Sequence, residues 1–219
     1  MEETNFVLLW KEHYEKIEAS LAINKRLLLG ALEDKAKSSL SSLKRLKTTG
    51  IILSVPYLLF LGALLFWAVT HYSPALFYFT FSVAAIFIIN IKALADYIKH
   101  LVWVNNIGYD GSITNIQQRL NKLQLSIISH ARIMCLQFPF FTTFYLSNKW
   151  FPHMVGWGYI VFQVALTGSF TLLSYWLYKN HKMESLNKKW FRKMIAGSGG
   201  RSVAKAIEFY REIEEFKKS

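Results

Sequence analysis

The chain has 219 residues, of which 53% are hydrophobic and 16% aromatic, and its formal net charge is +12. So much apolar surface, concentrated in a few uncharged stretches, excludes an ordinary soluble domain and favours an integral membrane protein. The single cysteine, Cys135, excludes an internal disulfide.

The N-terminal segment, residues 1–47, predicts a cytoplasmic amphipathic helix. Its apolar positions recur at alternating spacings of four and three, which is the pattern of a coiled-coil seam. This N-terminal face consists of Trp10, Tyr14, Ile17, Leu21, Asn24, Leu28 and Ala31. The face packs either on a second protein or on the chain's own helices. Self-packing is the expectation, against the later helical face of Leu120, Leu123 and Ile127.

Four uncharged stretches predict transmembrane helices, since about 20 apolar residues suffice to cross a bilayer. They form two hairpins, at residues 48–95 and 132–178. A cytoplasmic helical loop at 96–131 joins the hairpins, and a basic helical tail follows at 179–219. The third span is the weakest, with sixteen residues between Arg132 and Lys149 and a proline inside. The predicted fold is all-α: a polytopic membrane protein with four transmembrane helices, extended by cytoplasmic amphipathic helices.

The distribution of lysine and arginine predicts the orientation of the spans. Of the 26 basic residues, only Lys149 falls in the two short loops that connect the helices within each hairpin. Because cytoplasmic loops carry the excess of Lys and Arg, both termini and the long loop are predicted to be cytoplasmic. The expected location is the bacterial inner membrane. The same asymmetry explains the net charge, so the lipid bilayer is an expected partner and nucleic acid is not.

Histidine is the main candidate for a cofactor or metal site. His100 and His130 flank the inner ends of the second and third spans, and paired histidines on facing helices can hold haem or a metal. His71 and His153 fall in the two outer loops. No cysteine or carboxylate cluster completes a ligand set, and no nucleophile or phosphate-binding motif occurs. We therefore expect no catalytic, cofactor-binding or metal-binding residues.

The basic tail contains a candidate patch for anionic lipid, in which cations surround two aromatic residues. Its members are Lys182, Lys188, Lys189, Trp190, Phe191, Arg192 and Lys193.

The stretch LWKEHYEKIEASLAINKRLL, from Leu9 to Leu28, followed by four spans, resembles small inner-membrane proteins of bacteria. Some of these are encoded beside extracytoplasmic-function sigma factors, so the resemblance implies a regulatory setting. The zinc-type anti-sigma pattern of His and paired cysteines is absent. The leading hypothesis is a non-enzymatic, membrane-tethered protein that binds a cytoplasmic partner through its helical segments. The alternatives are a small channel or carrier working as a homo-oligomer, and a redox or lipid-active membrane enzyme.

The predicted orientation is testable with reporter fusions. Fusions at Gly111 and Ser219 should be active only with a cytoplasmic reporter, and fusions at His71 and His153 only with an external one. An external reporter active at Ser219 would contradict the four-span topology.

Overall fold

The computed structural model describes residues 2–107 and 112–218, and over these ranges it is helical with no strand. The α-helices are α1 (Glu2–Thr70), α2 (Phe77–Asn105), α3 (Ile113–Met134), α4 (Trp157–Asn180), α5 (Lys189–Ala196) and α6 (Gly200–Lys218). Short 3₁₀ helices cover Pro74–Leu76, Cys135–Thr142 and Met183–Asn187. The predicted all-helical class is confirmed.

Helix α1 joins the N-terminal segment and the first apolar stretch in one element. It has 69 residues and continues without a break through Gly30 and through Lys47. At 1.5 Å per residue it is about 100 Å long. The direction of the N-terminal segment is therefore set by the orientation of the first apolar stretch.

Three helices are long and apolar enough to cross a membrane: Lys16–Thr70, Pro74–Asn105 and Trp157–Asn180. The third predicted span is not among them. Helix α3 ends at Met134, and the chain continues as a 3₁₀ helix that contains Pro139. Proline lacks an N–H group and its ring displaces the preceding turn, which disfavours a regular α-helix there.

The segment after α3 nevertheless runs beside the apolar part of α2. At one end Asn90 Nδ2 donates to Gln137 Oε1 at 3.2 Å, and at the other Ser147 Oγ donates to the carbonyl oxygen of Ala75 at 2.9 Å. The fifteen residues from Ala75 to Asn90 span about 22 Å of α-helix. The ten residues from Gln137 to Ser147, which are 3₁₀ only as far as Thr142, run between the same two points.

The largest hydrophobic core lies between α1, the end of α2, α3 and α6. Its α1 side chains are Leu32, Ala36, Leu40 and Leu43; those of α3 are Ile116, Leu120, Leu123 and Ile127; those of α6 are Val203, Ala206, Tyr210 and Ile213. The spacing of three and four in each set buries one stripe of each helix. Helix α6 therefore completes the bundle that α1 and α3 begin.

Gly199 allows α6 to approach α1 closely. It lies in the turn between α5 and α6 with a φ of 93°, in the left-handed region that favours glycine. A Cβ atom at this position would overlap Leu43 Cδ1. Both the backbone conformation and the contact with α1 therefore require glycine.

Gly199→Ala should destabilise the bundle by about 1–3 kcal/mol, because it adds backbone strain and a clash with Leu43. The thermal unfolding midpoint in mild detergent would measure this. Gly197→Ala is the matched control, since a Cβ atom there meets nothing within 4 Å. Equal midpoints for the two variants would contradict the assigned role of Gly199.

Candidate functional site

A cluster of buried polar side chains from α1, α2 and α3 lies at the end of the apolar stretches nearest to the bundle core. Its centre is Asp96 of α2, whose Oδ2 accepts hydrogen bonds from Lys92 Nζ and from His130 Nδ1, the latter at 3.0 Å. His130 belongs to α3 and only 3% of its side chain is exposed. The carboxylate of Asp96 therefore ties α2 to α3.

Three further contacts extend the cluster along the α2–α3 interface. His100 is buried, and its Nε2 lies 2.9 Å from Ser126 Oγ of α3. The rings of His100 and His130 stand edge to face, with centroids 6.0 Å apart. The centroid of the Tyr97 ring lies 4.9 Å from that of His130. The two histidines that the sequence places at the inner ends of neighbouring elements are thus brought together.

Lys47 contributes a buried cation from α1. Its side chain has no exposed surface, and its Nζ has no hydrogen-bond partner. The ammonium lies 4.6 Å from the centroid of the Tyr97 ring, whose electron-rich face attracts it. A buried charge without a hydrogen-bonded partner costs several kcal/mol. The burial of Lys47 therefore lowers the free energy of unfolding.

The electrostatics of the cluster keep His130 neutral. Burial and the positive charge of Lys47 lower the pKa of His130 to about 4, against the opposing effect of Asp96. At neutral pH the imidazole is uncharged. Because a carboxylate only accepts, the proton on Nδ1 points to Asp96 and leaves Nε2 as an acceptor.

The cluster connects three helices, through the contacts of Asp96 with His130 and of Lys47 with Tyr97. Among the described residues, no group of three His, Cys, Asp or Glu side chains is arranged to hold a metal ion. His100 and His130 were candidates from the sequence, but Asp96 and Lys47 were not. The position of Asp96 could have been predicted, because Lys92, Asp96 and His100 recur every four residues and so share one face of a helix.

The N-terminal face is exposed along the part of it that the structure describes. Trp10 is 69% exposed, Leu21 61% and Leu28 43%, and the other members of the face from Tyr14 to Asn24 are exposed as well. The expectation that this face packs on Leu120, Leu123 and Ile127 is therefore wrong. Helix α6 packs on that surface of α3 instead, and the residues of α1 that join the same core begin at Leu29.

The outer histidines do not form a site. His71 stacks on Trp67, with ring centroids 5.5 Å apart, and its Nδ1 lies 3.0 Å from Thr70 Oγ1. His153 is exposed, and no hydrogen bond or ring contact joins it to His71 among the described residues.

The predicted lipid patch is divided by the fold. Phe191 is completely buried and packs on Ile128 and on the ring of His181, so it is not available to lipid. Trp190 is partly exposed, with its ring centroid 5.1 Å from that of Trp176 in α4. The five basic members, Lys182, Lys188, Lys189, Arg192 and Lys193, are all exposed.

Comparison of the chain with family models, with curated proteins and with solved structures gives no match.

Lys47→Met should raise the thermal unfolding midpoint, because a similar apolar side chain replaces a buried unpaired charge; gains of about 1–3 kcal/mol are typical. Asp96 retains its bonds to Lys92 and His130. Lys44→Met, one turn away on the exposed side of α1, is the matched control. A midpoint below that of the parent would show that Lys47 stabilises the cluster.

The apparent stability should fall as the pH is lowered from 6.5 towards 4. Over that interval His130 is protonated in the unfolded state but not in the folded state, because its pKa is lower in the folded state. Protonation therefore favours unfolding. The charged groups that face the ring are Lys47, Lys92 and Asp96. His130→Asn keeps a hydrogen-bond donor for Asp96 and should make the pH dependence of the unfolding midpoint less steep without abolishing it. An unchanged slope would contradict this assignment.

Proposed function

We propose that this protein is a non-enzymatic, membrane-tethered interaction protein whose cytoplasmic N-terminal helix binds a helix of another chain. The observation that carries the proposal is the exposed N-terminal face on a helix that is continuous with an apolar, span-length stretch. An amphipathic helix without a partner leaves a stripe of apolar surface in water, which a second helix of the same periodicity would cover.

The tether consists of four membrane crossings, the third made by the segment from Cys135 to Ser147. Irregular backbone is tolerated inside a bilayer only where other parts of the protein satisfy its polar groups. Ser174 Oγ donates to the carbonyl oxygen of Cys135 at 2.9 Å, and Gln163 Nε2 donates to that of Thr142 at 2.7 Å. These bonds from α4, with the charge asymmetry of the loops, support a crossing with both termini in the cytoplasm of a bacterial inner membrane.

The N-terminal part of α1 projects beyond the bundle. The first α1 residues that contact the bundle core are Leu29 and Leu32. The residues of α1 before Leu29 correspond to about 40 Å of helix. Between Trp10 and Leu28 every described side chain is exposed, so the whole length is open to a partner.

The occupant that we assign to this face is a second copy of the chain. Two copies inserted with the same topology carry their N-terminal helices in parallel, with Asn24 of one facing Asn24 of the other when the helices are in register. A polar residue in the seam specifies register, because only the matched arrangement satisfies its amide. Confinement to one membrane raises the effective concentration of the two helices.

Cysteine cross-linking in native membranes tests this pairing. Cys135 is first replaced by Ser, and then Ile17→Cys places a thiol in the seam. Ala19→Cys is the matched control, two residues away and off the seam. Mild oxidation should link Ile17→Cys into a dimer and leave Ala19→Cys monomeric. Leu21→Asp added to the Ile17→Cys chain should abolish the dimer, because it buries a charge in the seam.

Equal cross-linking of the two thiols would indicate random collision and contradict the pairing. A monomer from both variants, with insertion intact, would exclude a second copy as the occupant. A different protein would then be sought for the same face.

A further inference from the structure

A groove of about 640 Å³ lies between α5 and α6. Its floor is apolar and is formed by Leu186, Ile195, Ala196 and Ala204. The buried side chain of Gln124, from α3, contributes at the base. A floor of this kind accommodates the apolar part of a ligand rather than an ion alone.

The rim of the groove is strongly basic. Five cations line it, against one acid, Glu208: Lys189, Arg192, Lys193, Arg201 and Lys205. All five side chains are exposed, and none forms an ion pair within the part of the chain that the structure describes. Cations held side by side repel one another, and a polyanionic or anionic group between them relieves that repulsion.

The position of α5 brings the groove to the inner end of α4. The rings of Trp176, near the end of α4, and Trp190, near the start of α5, lie 5.1 Å apart. Lys189, next to Trp190 in the chain, therefore lies at the end of the rim nearest to the apolar stretches. From there the groove extends along α5 and α6, where the phosphates of a lipid headgroup can reach the cations.

We propose that this groove binds the phosphate-bearing headgroup of an anionic phospholipid, with the start of its apolar part on the floor. Charge complementarity and the apolar floor together select an amphiphile over a free anion. The site differs from a diffuse basic tail, because the fold adds Arg201 and Lys205 to Arg192 and excludes Lys182 and Lys188. It is independent of the pairing proposed for the N-terminal helix.

The test uses the full-length protein in detergent micelles containing equal amounts of phosphatidylglycerol and phosphatidylcholine with the same acyl chains. Native mass spectrometry counts the lipids retained. The parent should retain phosphatidylglycerol preferentially. Arg192→Gln with Arg201→Gln should reduce this retention at least about tenfold, since each cation near an anionic lipid contributes about fivefold. Lys182→Gln with Lys188→Gln is the matched control for net charge and should retain the lipid.

A second variant tests the floor without changing any charge. Ala204→Trp fills the groove and should displace phosphatidylglycerol. An elution volume and an unfolding midpoint equal to those of the parent would verify that this variant retains the fold. If either value changes, the charge variants still test the site independently.

Three outcomes would overturn the proposal. Equal losses from the groove variant and its charge control would mean diffuse surface attraction. Equal retention of the two lipids by the parent would mean no recognition of charge. Displacement of the lipid by inorganic phosphate at millimolar concentration would mean that a soluble phosphate compound is the ligand.

Discussion

The third apolar stretch depends on hydrogen bonds that its own backbone cannot make. Between Cys135 and Thr142 the chain is a 3₁₀ helix and not an α-helix. Carbonyl oxygens of this segment accept hydrogen bonds from side chains of another helix. Gln163 and Ser174 of α4 supply two of them. Because those bonds fix α4 against the segment, they also fix the point at which α5 begins and hence the position of the basic groove. Two polar side chains in a long apolar helix thus organise the second half of the chain.

The polar cluster around Asp96 holds together the helices of the first half of the chain. It lies where α1 leaves the bundle core and enters its apolar stretch, and it joins α1, α2 and α3 through Lys47, Asp96 and His130. Since α1 is continuous, fastening it at Lys47 sets the direction of all the residues before it. A buried, unpaired ammonium is an unfavourable choice for that purpose. A methionine would pack similarly without the cost, and we have no structural account of why lysine occupies the position.

The N-terminal face and the α5–α6 groove are both exposed among the residues that the structure describes, and they differ in chemistry. The N-terminal face is an apolar stripe with a single polar position, which suits another helix. The α5–α6 groove combines an apolar floor with Arg192, Arg201 and Lys205, which suits an amphiphile with negative charge. One surface lies on the free end of α1, about 40 Å from the bundle at its tip, and the other on the side of the bundle near the membrane. Pairing and lipid binding would therefore not compete for the same space.

The sequence by itself determined the helical class, three of the four predicted apolar spans, and the stripe of α3 that forms part of the bundle core. These follow from uncharged length and from spacing along one element, which are local properties. The tertiary structure decided three matters. The residues of α1 that enter the bundle core are Leu32 to Leu43 and not Trp10 to Leu28, and α1 packs there on α6. The segment around Pro139 is a 3₁₀ helix held by side chains of other elements. Lys47 lies over the ring of Tyr97, and Arg201 lines the same groove as Arg192, only because helices distant in sequence pack together, and no spacing along the chain encodes such neighbours.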